Sequence, residues 1–238
     1  MHILKVQNLS KEYPEFHLND INFTIPEGSI TGLIGINGSG KTTLIKIISG
    51  LVNRNSGTME FKGESYDPML QHTSREQIGI VLDGGYFYEN VSVNDMKKIY
   101  ASSYKEWDND TYKNLITQFG IPANRKIHQL SKGMKMKFSL VLALSHKAQL
   151  LIMDEPTSGL DPLIRKQFVD LLSEWVKTTG GSVMFSTHII SDLEKAADNI
   201  IMIHNGELIF QEKTDVIKEK NLSLETLMLN CIQGDVGL

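Results

Sequence analysis

The sequence predicts an α/β fold with a mainly parallel, buried sheet, an antiparallel β layer beside it and a helical insertion. Short apolar runs recur at "SITGLIG" (29–35), "QIGIVL" (77–82), "LLIMD" (150–154), "SVMFS" (182–186) and "NIIMI" (199–203), and they alternate with helical patterns. Continuous apolar runs of strand length suit strands covered on both faces. The first 30 residues and "GTMEFKG" (57–63) instead alternate like antiparallel strands, and Asn205-Gly206 stands between two apolar runs as a hairpin turn. Between Gly84 and Lys147 the β pattern stops. There "SVNDMKKIYASSY" (92–104) and "NDTYKNLITQFGI" (109–121) have polar starts and amphipathic helical spacing.

The totals bound the rest. A chain of 238 residues can bury a full core in one compact unit. With 24 basic and 28 acidic residues the formal net charge is −4, so no global attraction for nucleic acid is expected. The single cysteine, Cys231, excludes an internal disulfide framework and reads as a tolerated tail residue in a reducing compartment. No apolar run approaches the ~18 residues of a membrane span, and Met1 to Ser10 lacks the pattern of a secretory signal. The expectation is a cytosolic chain that reaches a membrane only through a partner.

The first apolar run leads into "GINGSGKT", Gly35 to Thr42, which matches G-x-x-x-x-G-K-[ST] between the strand and the helix that its mechanism needs. Gly35, Gly38 and Gly40 let the backbone curl so that successive N–H groups face a phosphate at a helix N-terminus. Lys41 would reach the β- and γ-phosphates, and the Thr42 hydroxyl would ligate Mg²⁺. Asn37, Ser39 and Thr43 complete the candidate nucleotide contacts. Leu44, Ile47, Ile48 and Leu51 give the following helix its apolar face. The loop predicts nucleotide binding without naming the reaction.

"QLLIMDEPTSGLD" runs from a buried strand into Asp154-Glu155. At a strand's carboxyl end Asp154 could hold Mg²⁺, and Glu155 would be free to orient and polarise an attacking water. The competing reading is a pair of acids at a helix N-terminus. His188, after "SVMFS", could bond a γ-phosphate and fix Glu155 or the water, or could be structural. "QLSKGMKMKFSLVLALS" (129–145) offers a second phosphate-compatible turn at Ser131 and Gly133, or an ordinary Ser N-cap, ahead of a helix that buries Leu140, Leu142, Ala143 and Leu144.

The phosphate loop, "LSKGM", "LLIMDEP", "SGLD" and "STH" follow in the order and spacing of the ATP-binding cassette (ABC) ATPases, and the chain resembles that family over nearly its whole length. The resemblance implies a P-loop NTPase (RecA-like) core at 1–84 and 148–238, including the antiparallel β lobe, with a helical signature subdomain at 85–147, all within one domain. It implies ATP and Mg²⁺ as ligands and a head-to-tail pair of cassettes, identical or not. In such a pair Ser131 and the Gly133 backbone would hold the γ-phosphate of the partner's ATP. It also implies adenine stacking on Tyr13, and contacts of Ser158 and Asp161 across the dimer seam.

Three positions depart from the family pattern. Lys132 and Met134 stand where the signature usually has Gly and Gln, and Asp83 stands where a Gln usually ends the strand. Asp83 would add a carboxylate beside Asp154 and Glu155 that should either bind Mg²⁺ more tightly or be driven toward protonation. Lys132, Lys135 and Lys137 read as a solvated helix face rather than a nucleic-acid patch, since interleaved aromatics are missing.

The function implied is the Mg²⁺-dependent ATPase subunit of a membrane transporter, peripheral on the inner face of the membrane and docked to a separate multi-span subunit. Tyr86, Phe87 and Tyr88 are either docking contacts or packing residues. Within the family the chain looks most like exporters of drugs, antibiotics or amphipathic peptides, including the phenol-soluble-modulin type. The alternative is a soluble ABC ATPase acting on ribosomes or in DNA repair; a P-loop kinase would leave "LSKGM" and "STH" unexplained.

Overall fold

The chain opens with two long antiparallel strands, β1 (His2–Tyr13) and β2 (Phe16–Pro26). In this computed structural model residues 1–71, 76–83, 85–219 and 223–233 are described, without the side chains of 231–233, so Gly84 and the Cys231 thiol lie outside the described residues. β4 (Ser56–Phe61) and β5 (Glu64–Ser65) complete a four-stranded antiparallel sheet in the order β2-β1-β4-β5.

The five apolar runs form the second sheet. They are β3 (Ile30–Ile34), β6 (Ile78–Val81), β7 (Leu150–Met153), β8 (Ser182–Ser186) and β9 (Asn199–His204), and β10 (Glu207–Lys213) closes one edge. The order is β10-β9-β3-β8-β7-β6, all parallel except β10. Every residue of β3, β7 and β8 is buried, which is why these strands read as unbroken apolar runs. Asn205 (φ 47°) and Gly206 (φ 78°) make the turn from β9 to β10, both in the left-handed region that a two-residue hairpin demands.

Helix α1 (Lys41–Ile48) follows β3. Its buried residues include Leu44, Ile45, Ile47 and Ile48, but Leu51 is half exposed. The spacing that placed Leu51 on the apolar face fails because the helix stops before Gly50, which takes φ 71°.

Between β6 and β7 lie α2 (Val93–Ala101), α3 (Asn109–Gln118), a 3₁₀ turn (Ile127–Gln129) and α4 (Lys132–Leu144). The Ser92 hydroxyl accepts from the Asp95 N–H, and the Asp108 carboxylate accepts from Asp110 and Thr111, so both helices start where polar residues satisfy free N–H groups. This segment has its own apolar cluster, including Val93, Met96, Tyr112, Ile127 and Phe138. Helix α4 belongs to two cores. Phe138, Val141 and Leu142 face that cluster, whereas Met136, Leu140, Ala143 and Leu144 pack on the face of the parallel sheet that also holds Val81 and Leu151.

The remaining helices are α5 (Pro162–Thr179), α6 (Ile190–Ala196), α7 (Thr214–Glu219) and α8 (Leu224–Gln233). The other face of the parallel sheet packs with α1 against the antiparallel layer, joining Leu4, Ile21 and Phe61 to Leu33, Leu44 and Ile201. None of the described helices is long and apolar enough to cross a membrane.

Candidate functional site

Parallel pairing puts the carboxyl ends of β3, β8, β7 and β6 on one edge, with Leu33 opposite Ser186, Met153 opposite Phe185, and Val81 opposite Met153. The glycine loop, His188, Asp154-Glu155 and Asp83 therefore all emerge on the same side.

In the loop, Gly38 (φ 81°) and Gly40 (φ 112°) hold conformations that side chains resist. A Cβ at Gly40 would also meet Leu18 and Phe16 at 2.9 Å. Helix α1 starts from Gly40 with no side-chain cap, which leaves its first N–H groups for a ligand. The Lys41 ammonium donates to the carbonyls of Gly35 at 2.8 Å and Ile36 at 3.1 Å. Burial lowers its pKa, and the charges of Glu155 and Asp154 oppose that shift. A cleft of about 610 Å³ opens over the loop, lined by Tyr13, Asn37, Ser39, Lys41, Thr42 and Glu155, among others including Thr43. Lys11 Nζ sits 5.1 Å from the Tyr13 ring centre, so the ring already carries a cation on one face.

The two acids are placed by one serine. Asp154 is buried, and its Oδ1 accepts from Ser186 Oγ at 2.7 Å; Ser186 Oγ in turn accepts from the Glu155 N–H at 2.9 Å. Glu155 stands at φ 48°, a left-handed conformation that costs a non-glycine residue of order 1–3 kcal/mol. That backbone turn separates the two carboxylates, and His188 Nδ1 lies 2.7 Å from Glu155 Oε2. Ser186, which joins the two acids, was not among the residues singled out from the sequence. It lay within a quoted motif, but a serine ending an apolar strand carries no mark of its partners.

Ser131, Gly133 and Asp161 are elsewhere. They line a separate hollow of about 340 Å³ between the start of α4 and the loop before α5. Ser131 Oγ accepts from the Met134 N–H at 3.2 Å, and Asp161 Oδ1 accepts from the N–H groups of Leu163 and Ile164, so both also act as N-caps. None of the three lines the cleft over Lys41.

The expected grouping of Asp83 with Asp154 and Glu155 is not what its carboxylate makes in this structure. Asp83 Oδ1 lies 3.0 Å from Lys132 Nζ, and among the described residues no three His, Cys, Asp or Glu side chains are grouped to hold a metal. The other two lysines are also engaged: Lys135 with Glu89 at 2.8 Å, and Lys137 over the Phe119 ring at 5.5 Å. Met134, the third departure, packs against the helical cluster. The aromatic triplet divides, with Tyr86 and Tyr88 exposed and Phe87 packed on Phe138 at 5.3 Å.

A glycine cradle, a buried lysine and an acid pair on neighbouring parallel strand ends define a P-loop nucleotide-hydrolysing protein. The chain belongs to the ABC transporter family, whose model matches residues 18–158, more than half of its length. It is 34% identical over 216 residues to a lantibiotic transport ATP-binding protein of Streptococcus pyogenes, covering 90% of this chain and 92% of that protein. A bacitracin transport ATP-binding protein of Bacillus licheniformis is 31% identical over 222 residues, covering 92% of this chain and 72% of that protein. A solved structure of the ATP-binding subunit of an ABC transporter superposes with a TM-score of 0.85 at 28% identity, over 96% of this chain and 98% of that one. The chain is thus an ATP-binding, ATP-hydrolysing transporter subunit, and these relatives favour that reading over the soluble alternative.

The residues present fit a magnesium nucleotide. Among the described residues Ser39 Oγ is buried without a hydrogen-bond partner beside the cradle, and the Thr42 hydroxyl and Asp154 carboxylate are hard oxygen donors of the kind Mg²⁺ prefers.

Proposed function

We propose that this subunit drives export of antibiotics or amphipathic peptides through a separate multi-span membrane subunit, hydrolysing ATP at two composite sites shared head to tail with a second cassette. One observation carries the composite site: the Ser131–Gly133 turn and Asp161 line a hollow distinct from the cleft of Lys41 and Glu155. Two phosphate-compatible surfaces that do not meet within one chain are reconciled if each closes on the partner's nucleotide.

In this reading Lys41 exchanges the Gly35 and Ile36 carbonyls for β- and γ-phosphate oxygens, and the uncapped start of α1 donates backbone N–H groups to them. Tyr13 offers its free face to the adenine. When bound, Mg²⁺ would neutralise phosphate charge; Thr42 and Asp154 would hold it, whereas Asp83 pairs with Lys132. Glu155 orients the attacking water and takes up its proton, with its carboxylate steadied by His188. Ser131 and Gly133 of the facing cassette cap the γ-phosphate, so phosphate loss removes the bridge between the two chains.

The exposed Tyr86 and Tyr88 supply an amphipathic surface for the membrane subunit, which would place this chain on the inner face of the membrane. Peptide cargo is inferred from the transport functions named for the Streptococcus and Bacillus relatives. Glu155→Gln tests the catalytic assignment. It should bind ATP normally, hydrolyse it at least about 100-fold more slowly and accumulate as a dimer on size exclusion with ATP. Hydrolysis at the parental rate would refute the assignment.

A further inference from the structure

We infer that Lys132, with Lys135 behind it, forms an ionic latch across the neck of the helical insertion and so positions the Ser131–Gly133 turn against the catalytic sheet. The insertion leaves the sheet just after β6, near Asp83, and its last helix, α4, which starts at Lys132, leads the chain back to the sheet at β7. Lys132 Nζ joins those two points at 3.0 Å from Asp83 Oδ1. One turn further along α4, Lys135 reaches both oxygens of Glu89 at 2.8 and 2.9 Å. The Lys132 stem also passes beside Gly159, where a Cβ would lie 3.6 Å from its Cδ. Lys132, at the start of α4 and next to Ser131, thereby pairs with the strand end after β6 and runs alongside the loop following Glu155.

Covalent connection does not impose this arrangement. The two residues are 49 positions apart, and they are two of the three positions at which the sequence departs from the family pattern. A lysine left unpaired beside Ser131 would compete with the turn for a terminal phosphate; Asp83 holds its ammonium aside. Both partners are positioning residues, and about half of each side chain is exposed, so the pair should respond to salt.

The effect on turnover rests on the composite-site reading, whereas the latch itself does not. The test is a double-mutant cycle of Asp83→Asn and Lys132→Gln, read first by amide exchange over residues 134–138 without nucleotide or Mg²⁺. Each single change should raise exchange about 2- to 5-fold, the double change no further, and about 0.5 M salt should reproduce the effect in the parent. In ATPase assays kcat should fall non-additively by a similar factor while KM for ATP holds. Additive effects on exchange would overturn the latch. So would a shift in Mg²⁺ dependence from Asp83→Asn that persists beside Lys132→Gln, because Asp83 would then be serving the metal. Coupled exchange with unaltered kcat would uphold the latch and count against the composite-site reading.

Discussion

Glu155, the proposed general base, also sits at a strained backbone position. Asp154 and Glu155 are neighbours in sequence, yet one is buried on Ser186 and the other faces the cleft beside His188, because φ 48° at Glu155 turns the chain between them. Ser186 meets two needs with one hydroxyl, accepting from the Glu155 N–H and donating to Asp154. Ser186→Ala should therefore lower kcat roughly 10- to 100-fold in steady-state assays, since both acids lose their anchor. A parental kcat would show that the strained turn holds itself. The sequence made the acids and His188 legible as candidates because their motif fixes their order. The serine bridge and the Asp83–Lys132 pair were not legible, because each joins side chains more than 30 positions apart whose meeting depends on the strand order.

At the scale of elements, the apolar runs were easy to read because strands covered on both faces admit little else, and the Asn205-Gly206 hairpin because few residues accept two successive left-handed conformations. Helix limits were less legible: Leu51 kept the apolar spacing of α1 but lies beyond its end. Helix α4 shows another limit, since apolar residues almost all round it say that it is buried without saying that two different cores share it.

The end of α4 predicts an acid sensitivity. His146, fully buried, stacks on Tyr104 at 3.9 Å and donates from Nδ1 to the Glu76 carbonyl at 3.1 Å. Burial pulls its pKa down from 6.5 to about 4, with the Glu76 hydrogen bond opposing the shift. Between those values the unfolded chain binds a proton that the folded chain refuses, so the stability present above pH 6.5 is lost as pH falls toward 4. Urea unfolding should show a loss of about 2 kcal/mol from this group between about pH 7 and pH 5. His146→Gln should remove that part of the slope; an unchanged slope would mean that His146 does not carry it.

Over the whole molecule, the sheet gathers one set of phosphate-compatible groups on the edge at the carboxyl ends of its strands, while the α4–α5 side carries a second set proposed to meet the partner's nucleotide. The family resemblance gave the second set its meaning, since spacing alone favoured Ser131 as an N-cap, and the structure shows it acting as one. Both roles are compatible: the hydroxyl that caps α4 marks a helix N-terminus that a partner's phosphate could approach. The central claim is that a single chain holds two half-sites rather than one whole site.

Mixing two inactive variants tests this most directly. Ser131→Arg spoils the capping turn but keeps Glu155; Glu155→Gln keeps the turn but cannot hydrolyse. If the sites are shared, equal mixing places one intact site in every hybrid dimer, and ATPase activity should reappear at up to about a quarter of the parental level. Activity that stays at the sum of the two separate preparations, in mixtures shown to exchange subunits, would contradict the account.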